Sequence, residues 1–164
     1  MSSGIRKRIN DLRNINPDIS LRTSIIVGFP GESDSDFQDL YDFVEEIEFD
    51  RLGVFTYSEE EGTHGASLKD DVPSKVKTER MDSIMMLQQD MNWKKNQKLI
   101  GNMEKVLIDR HSEDGTSIGR SYRDAPEVDN FIRIDEKLKI GEFYDVEITD
   151  AFEYDLAAKR LVHA

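Results

Sequence analysis

Arg22-Thr23-Ser24-Ile25-Ile26-Val27-Gly28-Phe29-Pro30-Gly31-Glu32 is the stretch that decides how this chain is read. Leu21 to Val27 is rich in β-branched residues and closes on three consecutive apolar side chains, Ile25, Ile26 and Val27. Such a run fits a strand covered on both faces, as in a parallel sheet. Gly28, Phe29, Pro30 and Gly31 then break the regularity. Ser33 is a good N-cap, and Asp34 and Asp36 complement the positive end of a helix dipole. Phe37, Leu40, Tyr41, Val44 and Ile47 follow as one apolar stripe at helical spacing.

Outward from this unit the pattern repeats. Ile5, Ile9, Leu12 and Ile15 recur at three- and four-residue intervals among basic residues, which predicts an amphipathic helix ended by Asn16 and Pro17. On the other side, Leu52 to Tyr57 predicts a second strand. An acidic, glycine-containing loop from Ser58 to Ser67 leads to Pro73, which suits a first helical turn. The helix after it runs to about Leu99, with Met81, Ile84, Leu87 and Met91 on one face and Gly101 as its stop. Helix, strand, helix, strand, helix is the alternation of parallel βα units. Two strands are too few for a complete sheet of that kind, so a slice of something larger is expected.

Near residue 100 the period changes. Lys105 to Arg110, Ser117 to Arg123, Phe131 to Ile134, Phe143 to Thr149 and Lys159 to Val162 are short strand candidates separated by turn signals. They suggest a small five-stranded antiparallel barrel. The fold class is therefore α/β followed by all-β, with domains expected at 1–100 and 101–164.

Composition narrows the chemistry. The 164 residues are 37% hydrophobic and 34% charged, with a net charge of −12, as expected of a folded, soluble chain. The absence of cysteine excludes disulfides, thiolate metal sites, a cysteine nucleophile and an iron–sulfur cluster held by this chain. His64, His111 and His163 match no metal-ligand spacing. The acidic balance argues against nonspecific nucleic-acid binding and favours a basic partner or simple solubility.

Three stretches carry candidate chemistry. Gly28 would let a ligand approach the backbone beyond a strand's C-terminal end, where α/β folds bind ligands, although Gly-Phe-Pro-Gly is also an ordinary strand-to-helix turn. Arg22 suits either a carboxylate or a solvated strand start. Phe55-Thr56-Tyr57-Ser58-Glu59-Glu60-Glu61-Gly62-Thr63 occupies the equivalent place after the next strand, so both turns face one rim. Glu59 to Glu61 read as a hydrated loop or as a docking surface for a cationic partner. Gly119 to Asp129 reads as a defined loop around Pro126, either a plain turn or a second docking element.

Together these stretches resemble the methylthiotransferases of the radical S-adenosylmethionine superfamily, from about Arg6 to Asp155. Residues 22–32 resemble the family's fifth barrel strand and turn, and Phe55 to Ser58 with Gly62 and Thr63 resemble its sixth. Val72 and Pro73 with Lys77, Arg80, Leu87 and Gln88 resemble the helix joining barrel to tail, and the last segment resembles a TRAM domain. The glutamates at 59–61 and Asp124-Ala125-Pro126-Glu127-Val128-Asp129 are similar to the RimO-type branch, which modifies a ribosomal protein. The alternatives are the MiaB-like branch, which modifies transfer RNA, and a non-catalytic module binding a basic protein.

The resemblance implies part of a TIM-like barrel over 1–100 and a TRAM barrel over 101–164. It implies β-methylthiolation of an aspartate in small-subunit ribosomal protein twelve, in the cytoplasm. It also implies S-adenosylmethionine and two [4Fe–4S] clusters in the full-length enzyme. One cluster generates the hydrogen-abstracting radical, the other assists sulfur insertion, and a second S-adenosylmethionine supplies the methyl group. Carried over by position, Ile26, Gly28, Tyr57 and Ser58 would contact the cofactor. Glu59, Glu60, Glu61, Asp124, Glu127 and Asp129 would dock the substrate. No catalytic or metal-binding residue carries over. The family's strand has glycine where Ser24 stands, and its glutamate is offset by one from Glu32. Its Cys-x-x-x-Cys-x-x-Cys motif is not in this chain. The chain is thus expected to be a C-terminal piece, inactive alone, with a barrel edge left open or self-associated.

Overall fold

The computed structural model describes residues 3–126 and 130–162. Its elements are α1 (Ser3–Ile15), β1 (Arg22–Val27), α2 (Asp34–Ile47), β2 (Arg51–Thr56), α3 (Ser74–Gln97), β3 (Met103–His111), β4 (Ser117–Arg120), β5 (Ile132–Ile134), β6 (Phe143–Ala151) and β7 (Leu156–Arg160). Two compact units divide between Gln88 and Gln89.

In the first unit β1 and β2 pair in parallel, with Arg22 opposite Arg51 and Val27 opposite Thr56. Asp50 fixes the start of this register by donating its N–H to the Leu21 carbonyl at 2.9 Å and accepting the Leu21 N–H at 2.8 Å. Ser33 caps α2 in a reciprocal box: its hydroxyl oxygen accepts the Asp36 N–H, and the Asp36 carboxylate accepts the Ser33 N–H. Ile9, Phe43, Ile47 and Phe49 form the core, with Leu21 and Leu52 packed against it.

Two expectations are corrected here. β1 is not covered on both faces: Arg22, Ser24 and Ile26 are exposed, while Thr23 and Ile25 are half-buried and Val27 is buried. Neither strand pairs with a third among the described residues. Ile26 and Phe55, register neighbours, consequently stand 56% and 59% exposed. The buried stripe of α3 is also rotated from the apolar reading. It runs Lys77, Arg80, Ile84, Gln88, Met91, whereas Met81 and Leu87 are half-buried. The spacing is helical, but two of its members are cations, which an apolar-periodicity search passes over.

The second unit is a closed barrel in the order β3-β4-β5-β7-β6. Its pairings are antiparallel except that β5 and β7 run parallel, so the barrel is mixed rather than wholly antiparallel. Val106, Ile108, Ile132, Ile134, Leu138, Val146, Ile148, Ala151, Leu156 and Ala158 fill it. Gly119 lies against the Leu107 carbonyl and Val106, where a Cβ would collide. β4 stops at Arg120 because Ser121 turns the chain, its N–H and hydroxyl both donating to the Asp124 carboxylate. The last strand begins at Leu156 rather than Lys159; its inward residues, Leu156 and Ala158, include a small alanine that weakens a strand signal.

Candidate ligand rim

The C-terminal ends of β1 and β2 carry two turns joined by a hydrogen bond, the Tyr57 N–H donating to the Val27 carbonyl at 2.9 Å. Gly28 opens the first turn with φ 73°, a left-handed conformation that suits glycine. Its N–H donates to Oε1 of Glu32 at 2.9 Å. Gly31, also left-handed, donates its N–H to the Asp71 carboxylate at 2.8 Å. Phe29 meets Tyr57 edge-on, with ring centroids 5.2 Å apart.

The expected cofactor residues gather at this rim. Ile26 is exposed on the open sheet face, Gly28 is buried, Tyr57 is half-buried and Ser58 is exposed. The side of Gly28 that a Cβ would fill is taken by the Lys77 stem, so the glycine serves close packing of α3 there. On the open face the small residues Ser24 and Gly53 lie opposite each other, between the arginine pair and the Ile26–Phe55 pair. Exposed backbone and small side chains suit a flat, polar ligand such as an adenosyl group. Iron–sulfur clusters do not fit these residues. The chain supplies no thiolate, and no group of three His, Cys, Asp or Glu among the described residues could hold a metal ion.

Sequence reasoning did not assign a site role to the residues that hold this rim, namely Glu32, Asp70, Lys77 and Arg80. Arg80 Nη1 donates to Glu32 Oε1 at 2.6 Å, and Nη2 donates to Asp34 at 2.8 Å. Lys77 Nζ donates to Asp70 at 2.6 Å and to the Tyr57 carbonyl at 3.3 Å. The signal available was a lysine and an arginine one turn apart on a helix that otherwise needs a buried face.

Of the expected docking residues, Glu59, Glu60 and Glu61 are exposed in the loop after β2. Asp124 belongs to the second unit and is committed to Ser121. Glu127 and Asp129 lie outside the described residues. A groove of about 410 Å³ on the barrel passes Asp124, Lys105, Leu107, Arg120, Tyr122 and Phe143. Arg120 is ion-paired with Asp109, while the Tyr122 and Phe143 rings are 66% and 64% exposed.

Comparison with known proteins finds relatives for both units. A family model described as a TRAM domain matches residues 100–161. Proteins named ribosomal protein uS12 methylthiotransferase RimO match nearly the whole chain. The one from Christiangramia forsetii is 44% identical over 94% of this chain and 35% of its own length. That from Clostridioides difficile is 47% identical over 93% and 35%, and that from Clostridium kluyveri 49% over 93% and 34%. The chain therefore spans about a third of the curated relatives it matches, and that third is their C-terminal part. By sequence, this chain is a homologue of the C-terminal part of the RimO-named methylthiotransferases, ending in a TRAM domain.

Proposed function

We propose that the chain forms the closing arc of the cofactor-holding barrel, over 1–100, and the TRAM domain, over 101–164, of a methylthiotransferase acting on ribosomal protein uS12 in the cytoplasm. The observation that carries this reading is 44–49% identity to RimO-named proteins over 93–94% of the chain. With S-adenosylmethionine and two [4Fe–4S] clusters bound, the full-length protein would add a methylthio group to the β-carbon of an aspartate. The clusters' thiolates come from outside this chain, which is inactive alone. This chain's residues bind and orient. Ile26 and Gly28 lie near the adenosyl group, and Tyr57 and Ser58 meet its adenine through their backbone. Glu59 to Glu61 in the first unit and, separately, Asp124, Glu127 and Asp129 in the second are the residues assigned to docking the basic substrate. No helix among the described residues is long and apolar enough to cross a membrane. The edges of β1 and β2 that pair with no third strand among the described residues are where neighbouring staves of the barrel would attach or, in the isolated chain, where copies would associate.

One observation favours a second reading, a barrel that faces transfer RNA. Exposed Lys105 beside the exposed Tyr122 and Phe143 suits phosphate and stacked bases. Titrating the chain with purified uS12 and with transfer RNA at matched salt separates the two. Binding of uS12 that weakens when Glu59 to Glu61 are changed to glutamine supports the proposal. Preferential RNA binding with a steep salt slope overturns it.

A further inference from the structure

The turns after β1 and β2 are both gripped from one helix. Lys77 is 6% exposed, and its stem crosses Gly28 so closely that a Cβ at that glycine would overlap Lys77 Cγ. Past Gly28 the ammonium lies 5.0 Å from the centre of the Tyr57 ring and donates to the Tyr57 carbonyl and to Asp70. One turn further along α3, Arg80 is also 6% exposed. It holds the Glu32 carboxylate at 2.6 Å and the Glu32 carbonyl at 3.2 Å. The oxygen it holds, Glu32 Oε1, is the one that accepts the Gly28 N–H. Gly28 is thus fixed twice, through its N–H by the Glu32–Arg80 pair and across its bare Cα by the Lys77 stem. Burying two cations is unfavourable unless their hydrogen bonds are met. Here those bonds run to the two rim turns and to acids flanking them.

We propose that Lys77 and Arg80 are positioning residues, a two-cation clamp that holds the turns after β1 and β2 in a common frame for an adenosyl ligand. The ligand in this statement rests on the function proposed above; the mechanical coupling between the turns does not. Because Lys77 touches both turns, displacing its stem at Gly28 must disturb Tyr57. A pair of independent structural ion pairs would behave otherwise.

Amide hydrogen exchange on the 164-residue chain tests the coupling, since the Gly28 and Tyr57 amides are both hydrogen-bonded. Gly28→Ala, which drives the Lys77 stem aside, is expected to lower protection at Tyr57 about tenfold while α2 amides such as Val44 hold. In a Lys77→Ala background the same change at Gly28 loses most of its effect on Tyr57, a non-additive cycle. Additive effects, or disturbance confined to residues 28–32, overturn the clamp. If Gly28→Ala does not fold, Lys77→Met keeps the stem and removes the ammonium; it must loosen Tyr57, with recovery in Lys77→Arg. Titration with S-adenosylmethionine, followed at Ile26, Gly28, Tyr57 and Ser58, tests the ligand. Shifts that weaken about tenfold in affinity in Lys77→Met and recover in Lys77→Arg support the proposal. Undiminished affinity in Lys77→Met overturns the positioning role. No shift in the parent chain overturns the adenosyl reading and leaves the clamp to be decided by exchange.

Discussion

The barrel closes and the sheet does not, and the two units are stabilised differently as a result. In β3 to β7 every strand has two partners, no edge remains, and the interior is aliphatic from Val106 to Ala158. In the first unit two strands lie side by side with both outer edges unpaired among the described residues and one face open. A cavity of about 540 Å³ lies along β1 against Ile5, Ile9, Leu40 and Phe43. The helix that backs this unit buries Lys77, Arg80 and Gln88 where the barrel buries isoleucines. Polar groups at buried positions fix backbone geometry at the expense of stability.

The largest expected difference is in the cost of losing an isoleucine. Ile148 is fully buried in the barrel, and Ile148→Ala should destabilise that unit by about 3–4 kcal/mol. Ile26, 56% exposed on the open face, should tolerate the same change within about 0.5 kcal/mol. Denaturant unfolding followed by Trp93, the single tryptophan and part of the second unit, reports the first. Backbone amide exchange in β1 reports the second. Comparable losses at the two sites would mean that the open face is covered in solution, as self-association through that edge requires.

Next comes Arg80→Met, which leaves the Glu32 carboxylate, 11% exposed, facing an apolar group. A loss of about 3 kcal/mol in the first unit is expected, because the remaining charge is stranded rather than merely unpaired. The Trp93 transition should stay in place. If it moves by the same amount, the units unfold as one and the contrast between them is structural but not energetic.

The parts legible in the sequence are those whose stabilisation is apolar or local. The stripe from Phe37 to Ile47, the Ser33 cap and the alternation of strands and helices all follow from side-chain period and capping chemistry, and all are found. Gly28, Tyr57 and Ser58 follow the two strands as the strand-to-turn breaks indicate, while Ile26 lies within β1. Less legible was the holding of that rim. Glu32 and Arg80 are 48 residues apart, and nothing in local periodicity links them. The parallel β5–β7 pair was equally hidden, because strand direction is set by how the barrel closes rather than by either three- or five-residue segment.

A smaller effect compares two acids that act alike in the two units. Hydrogen bonds from Ser33 hold the Asp36 carboxyl below its ordinary 3.8. Those from the Ser112 hydroxyl, then from Thr116, hold Asp114 well below the same value. An acid whose pKa is depressed on folding adds stability that is present above its unfolded value and is lost as pH falls through the folded one. Asp36→Asn should therefore flatten the acid limb of the first unit's stability below about pH 4. Asp114→Asn should do so for the barrel, read by Trp93. A variant that leaves the acid limb unchanged in its own unit breaks the parallel.

The smallest effect concerns the same backbone conformation filled by different residues. Glu48 ends α2 at φ 50° and ψ 64°, with its N–H returning to the Val44 carbonyl at 3.0 Å. This is the left-handed cap at which glycine is ordinarily found. In the barrel unit, Gly115 and Gly141 take that conformation at φ 86° and 82°, with open space where a Cβ would go. Relief of the left-handed strain favours Glu48→Gly, while the greater freedom of glycine in the unfolded chain opposes it. The balance should be a gain of about 0.5 kcal/mol in the first unit, seen as a raised denaturation midpoint. Gly141→Ala should lose about 1 kcal/mol in the barrel, because strain alone acts where space is free. A loss in both would show that the Glu48 side chain, beyond its backbone, anchors the end of α2, and that the first unit relies on polar contacts even where it caps a helix.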